Sequence, residues 1–178
     1  MQKEKLSPKM LCLCALFTAL LALGAYLRIP LSIIPLTTQT LFVLLSGLFL
    51  KHPYASITCL TYLFLGLTGL PVFTQGGGIG YVLHPTFGYL IGFVFGVWVM
   101  GRLLTSASSP RLLLAAFGGL GVIYLFGILY YYLLATLYLG ETIAIGTLLT
   151  TCVFPTLPSD CLWAVLAAYL AKRLKRHL

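Results

Sequence analysis

Acidic side chains are almost missing from this chain. Glu4, Glu141 and Asp160 are the only three among 178 residues. A catalytic acid–base pair would have to join Asp160 to Glu141 or to His84, and no spacing in the sequence brings such a pair together. Nucleotide chemistry is equally short of parts. The one glycine run, Gly76-Gly77-Gly78-Ile79-Gly80, lacks the Gly-Lys-Ser/Thr of a phosphate loop and follows no strand that would make it a dinucleotide fingerprint. The chain is therefore not expected to hydrolyse ATP itself or to act as an enzyme. Five cysteines, at 12, 14, 59, 152 and 161, lie scattered in apolar runs without ligand spacing or partner histidines. They read as small buried hydrophobes, and neither a metal nor a cofactor is expected.

Charge of either sign is scarce. Charged residues make up 8% of the chain and hydrophobic ones 60%, with a mean hydropathy of +1.04. Soluble domains carry about 25% charged residues, so the sequence describes a multi-pass protein of the cell membrane. Its length allows about six spans of roughly 20 residues and no separate soluble domain. The expectation is an all-α fold with residues 1–178 as a single six-helix membrane domain.

The net charge of +8 would suit nucleic acid only if the cations shared one surface. They sit instead at span ends: Lys3, Lys5 and Lys9 before the first apolar run, Lys51 after the second, Arg102 and Arg111 around a polar linker, and Lys172, Arg173, Lys175 and Arg176 at the end. With both termini cytoplasmic these ten fall inside and Arg28 alone outside, which is the positive-inside pattern. Met10 to Leu27 is too long for a signal-peptide core and reads as a retained first helix. Further spans are expected to Lys51, over Tyr54–Leu70, over Pro85–Arg102, over Leu112–Gly140 and over Ser159–Lys172. Between the last two, Thr142–Phe154 is too short to cross without breaking the charge parity. It reads as a re-entrant or outer-surface helix ended by Pro155 and Pro158.

Asp160 is the residue the pattern leaves unexplained. A carboxylate at membrane depth costs roughly 3 kcal/mol or more and faces a bundle interior or an aqueous cavity. It is a ligand contact, a carboxyl bonded to a neighbouring helix, or one simply at the membrane interface. The glycine run offers turns and backbone N–H groups to a ligand, or is a plain connection, with Tyr81 and His84 beside it as candidate pocket residues. Gly88, Gly92 and Gly96 on one helix face, and Ala15 and Ala19 on another, have the spacing of close helix contacts. By spacing alone both ladders read as packing inside the bundle.

Taken together, Arg28-Ile-Pro30, Pro35-Leu-Thr-Thr-Gln-Thr-Leu-Phe42, Gly66-Leu-Thr-Gly-Leu-Pro-Val-Phe73, His84-Pro-Thr-Phe-Gly-Tyr-Leu-Ile-Gly-Phe93 and Phe154-Pro-Thr-Leu-Pro-Ser-Asp160 resemble, in order and spacing, the BioY family of biotin transporters. The resemblance implies the substrate-binding S component of an energy-coupling-factor (ECF) transporter, which takes up biotin in company with a transmembrane T protein and two ABC-type ATPases. It implies that Asp160 contacts the ureido head of biotin. Gln39 and Thr40, with Gln75, Gly76, Gly77 and Gly78, resemble the parts that cover the ligand, and Tyr81 borders them. Ala15 and Ala19 match the pattern by which such components dock on the T protein, which reverses the reading from spacing alone. By side-chain type, Tyr89 and the run Tyr130–Tyr132 supply flat apolar walls.

The chain departs from the family pattern in three places. Trp163 stands where a lysine is usual, His84 and Phe87 replace two glycines, and the glycine loop carries no arginine. Gln75, Arg28 or loop N–H groups are the remaining candidates for holding the biotin carboxylate. An S component for another vitamin or a biotin precursor, a carrier working alone and, more remotely, an intramembrane enzyme are the competing readings.

Overall fold

A computed structural model describes residues 7–30, 34–50, 52–106, 108–140 and 143–175. Lys3, Lys5, Lys51 and Arg176 of the charge pattern, and Glu141 at the expected outer end of the fifth span, lie outside the described residues.

Seven α-helices form the described bundle: α1 (Pro8–Tyr26), α2 (Gln39–Phe49), α3 (Tyr54–Leu67), α4 (Phe87–Leu103), α5 (Ser109–Leu133), α6 (Ile145–Cys152) and α7 (Leu157–Lys175). Their boundaries follow local chemistry. Proline occupies the first turn of α1 and of α5, where its missing N–H has no intrahelical partner to lose. The end of α5 loosens into a π-helical turn over Leu134–Leu139 and stops at Gly140, whose φ is +69°. Helix α3 stops three residues short of the expected Leu70, because Gly69 turns the chain with φ +108°.

Two helices are long and apolar enough to cross a bilayer outright, Pro8–Tyr26 and Ser109–Leu139. The segments Gly146–Cys152 and Leu157–Leu174 pass the same test as a pair bent by 54°. Pro155 and Pro158 account for the break, since neither offers an N–H to continue the preceding helix. The expected short helix before the last span is therefore present as α6, within Thr142–Phe154. Helices α2, α3 and α4 are apolar but shorter, with 11, 14 and 17 residues.

What α2 and α3 lack in length is made up by irregular chain at one end of the bundle. Here Arg28–Ile29 (β1) pairs antiparallel with Leu36–Thr37 (β2), a small ladder inside what the sequence suggests is plain loop. The glycine run folds over the same end. Gly78 N–H donates to Gly66 C=O at 2.7 Å, and Phe73 and Gly76 bridge each other. The Tyr26 hydroxyl donates to Pro71 C=O and the Arg28 guanidinium to Thr74 C=O, tying β1 to the glycine segment.

The core runs through the middle, with Leu21, Val43, Leu44, Leu48, Tyr62, Val97, Met100, Leu112 and Ile123 almost wholly buried. A narrow seam lies between α4 and α5. A Cβ added at Gly92 would stand 2.9 Å from Ile123 Cα, and one at Gly88 would stand 2.3 Å from Tyr130 Cβ. The glycine ladder thus serves contact inside the bundle.

Candidate ligand-binding site

The bend between α6 and α7 turns the first turn of α7 inward, and Asp160 lies in that turn. Its side chain is 8% exposed. The Tyr124 hydroxyl, from α5, donates to Asp160 Oδ2 at 2.6 Å. A phenol has one proton, so at the 2.7 Å contact between Tyr124 and Thr156 the Thr156 hydroxyl is the donor. The order is Thr156 to Tyr124 to Asp160, with the Thr40 hydroxyl of α2 a further hydrogen-bonding neighbour of the carboxylate. Helices α2 and α5 and the turn before α7 thus hold the acid in place.

Asp160 lines a small cavity of about 50 Å³ with Ile34, Pro35, Thr37, Gln39, Thr40, Thr74, Thr86, Tyr89, Leu90, Phe93, Ile123 and Thr156. Its wall is apolar on the side of α4 and α5 and at Ile34 and Pro35, and polar elsewhere. Gln39, at the start of α2, is 2% exposed, and its Nε2 has no hydrogen-bond partner among the described residues. The Tyr62 hydroxyl, which gives its proton to Val72 C=O at 2.8 Å, stands beside it and can accept at most one of its two protons. A buried amide donor without a partner costs about 1–3 kcal/mol. The cavity therefore presents a carboxylate that accepts and a carboxamide that still has protons to donate.

A second polar layer stands behind Thr74 and Thr86. Thr86 N–H points to His84 Nδ1 at 3.3 Å, which makes that nitrogen the acceptor. The Thr86 hydroxyl then donates to it at 2.8 Å, Tyr81 donates to Thr86 at 2.9 Å, and Thr74 donates to Tyr81 at 2.8 Å. Burial lowers the His84 pKa from its ordinary value, in keeping with a neutral ring.

Of the residues singled out from sequence, Asp160, Gln39, Thr40 and Tyr89 line the cavity. Tyr89 also donates to Cys152 C=O at 3.0 Å, fixing α6 against α4, and meets Tyr124 edge-on. Tyr81 lies one layer back. Gly76, Gly77 and Gly78 stand away from the cavity wall, and Gly76 and Gly78 use their N–H groups on Phe73 C=O and Gly66 C=O. Gln75 is exposed. Trp163 is also off the wall; its Nε1 donates to Thr37 C=O at 3.1 Å, fastening α7 to β2. Among the described residues, no lysine or arginine lines the cavity. Sequence reasoning missed Tyr124, Thr156, Thr74 and Thr86, hydroxyls whose value lies in contacts between distant segments.

At the side of the bundle, Ala15 and Ala19 are exposed on α1. With Leu11, Thr18 and Ala22, and with Ile57, Thr61 and Leu65 of α3, they line an apolar groove of about 400 Å³.

The BioY family model matches residues 1–178. A probable biotin transporter BioY of Lysinibacillus sphaericus is 39% identical over 167 residues, covering 92% of this chain and 85% of that protein. The biotin transporter BioY of Thermotoga maritima is 38% identical, covering 90% and 92%. Among solved structures, the S-component for biotin from an ECF-type ABC transporter superposes with a TM-score of 0.81 at 25% identity, over 97% of this chain and 95% of that one. The helical architecture is thus that of an S component, and the apolar helices belong to a multi-pass membrane protein. On a match that runs from its first residue to its last, the chain belongs to the BioY family.

Proposed function

We propose that this protein is the biotin-capturing S component of an ECF transporter and delivers the vitamin with the help of a T protein and ABC-type ATPases. The observation that carries the reading is the pairing of Asp160 with Gln39 across one buried cavity. A cyclic urea presents two N–H donors beside one carbonyl acceptor. Asp160 accepts from the ureido N–H groups, and Gln39 Nε2 donates to the ureido oxygen. Tyr89, Leu90, Phe93 and Ile123 supply the apolar wall for the rest of the ring system.

Ligand pockets commonly measure roughly 300–1,000 Å³, against about 50 Å³ for this cavity. Binding therefore includes an opening of the site end of the bundle. Six crossings, made by α1, α2, α3, α4, α5 and the bent α6–α7 unit, place both termini in the cytoplasm and the cavity toward the outside. Residues 1–178 then act as one domain. Ala15 and Ala19 present the T-protein contact, in a groove with no charged residue in its lining.

Equilibrium binding of biotin to the purified chain tests the reading. Asp160→Ala is expected to weaken binding roughly 10- to 100-fold, the worth of hydrogen bonds to a charged group, with the melting temperature retained. Undiminished binding would remove Asp160 from the site. The donor set recognises the ureido head and offers no cation to a carboxylate, so a precursor keeping that head remains a second reading. Competition by desthiobiotin separates the two, with thiamine and riboflavin as negative comparisons.

A further inference from the structure

A second groove of about 350 Å³ opens between α5 and α7, at the end of the bundle away from the cavity. Leu113, Val165, Ala168 and Tyr169 line its apolar length, and Ser109, Lys172 and Arg173 form its mouth. Val165 and Tyr169 are about half exposed, at 50% and 53%. Lys172 Nζ donates to Ser109 Oγ at 2.7 Å, which fixes the ammonium beside the first turn of α5. The Arg173 guanidinium sits over the Tyr169 ring, 5.3 Å from its centre.

The charge at this end is one-sided. Arg102 ends α4, Arg111 opens α5, and Lys172 and Arg173 close α7. The only acid among the described residues is Asp160, twelve positions back along α7 and so roughly 18 Å away. The α1–α3 groove has no cation in its lining. A partner for the α5–α7 groove must bring both an apolar body and negative charge. An aromatic ring beside a guanidinium suits the depth where acyl chains meet headgroups.

We infer that the α5–α7 groove is a binding site for an anionic phospholipid, with one acyl chain along Leu113, Val165 and Ala168 and the headgroup phosphate between Lys172, Arg173 and the Ser109 hydroxyl. The retained lipid completes the surface of α7 at the end opposite the cavity and neutralises charge that no described side chain balances.

The test exchanges the full chain into bicelles of equal phosphatidylglycerol and phosphatidylcholine and counts retained lipids by native mass spectrometry. Phosphatidylglycerol is expected to dominate. A basic side chain near an anionic surface contributes about fivefold, so K172Q/R173Q is expected to reduce the preference by roughly tenfold or more. The charge-preserving K172R/R173K retains it and reports on folding. Equal retention of the two lipids by the unaltered chain, or an unchanged preference in K172Q/R173Q, overturns the proposal. Displacement of the lipid by inorganic phosphate also overturns it in favour of a simple anion site. If the double variant keeps its phosphatidylglycerol but no longer copurifies with the T protein and ATPases, the groove is a protein contact and the lipid assignment falls.

Discussion

Two seams of this bundle carry small residues at four-residue spacing, and they do opposite things. Between α4 and α5, Gly88, Gly92 and Gly96 let the helices approach until a single added Cβ would meet Tyr130, Ile123 or their backbone at 2.3–2.9 Å. Between α1 and α3, Ala15 and Ala19 are exposed and border a groove of about 400 Å³. Helix α1 turns Cys14, Phe17 and Leu21 to the core instead. A small-residue ladder therefore marks a surface fit for close approach without saying what approaches. The glycines are satisfied within the chain. The alanines border a groove that the described chain leaves open.

Breaking the closed seam has the largest expected effect. Gly92→Leu forces a side chain against the Ile123 backbone, and overpacking of this kind costs about 1–3 kcal/mol or more. The melting temperature in detergent should fall sharply, with biotin binding lost as the bundle loosens. Bulk at the open seam should act in the reverse sense. Ala15→Trp with Ala19→Trp is expected to leave stability within about 0.5 kcal/mol, as at other exposed positions, and to leave biotin affinity unaltered. The same variant should lose copurification with the T protein and ATPases. Retained copurification would remove the alanines from that contact.

Smaller effects sharpen the contrast between helices locked by packing and elements joined by single hydrogen bonds. Tyr124→Phe deletes the donor to Asp160 while keeping the ring, and biotin affinity should drop roughly tenfold or more for a bond to a charged group. Trp163→Phe deletes one bond to the Thr37 carbonyl. About 1 kcal/mol of stability is expected to go with it, visible as faster amide exchange around residues 36–38 with little change in affinity.

The helices were largely readable from hydropathy. Charge placement and the proline break at 155–158 foretold the order of apolar segments, including the short helix before α7. Asp160 announced itself because one acid among so many apolar residues has few innocent explanations. The polar lining hid for the opposite reason. Threonine and tyrosine are common in apolar runs, and Tyr124, Thr156, Thr74 and Thr86 acquire meaning only when distant segments meet, as Tyr124 and Asp160 do across 36 positions. The glycine run was the most visible feature of the sequence, and its backbone donors at Gly76 and Gly78 bond within its own fold. Trp163 drew notice for the lysine it displaces, and what it does instead is fasten β2.

The shortness of α2 sets how far the cargo still has to travel. Counted from Gln39 this helix has 11 residues, about 15 Å of rise, against a hydrocarbon thickness of roughly 30 Å. On the proposed reading, a molecule seated between Gln39 and Asp160 has only the length of α2, about half the hydrocarbon thickness, still to pass on its way to the far end of the bundle.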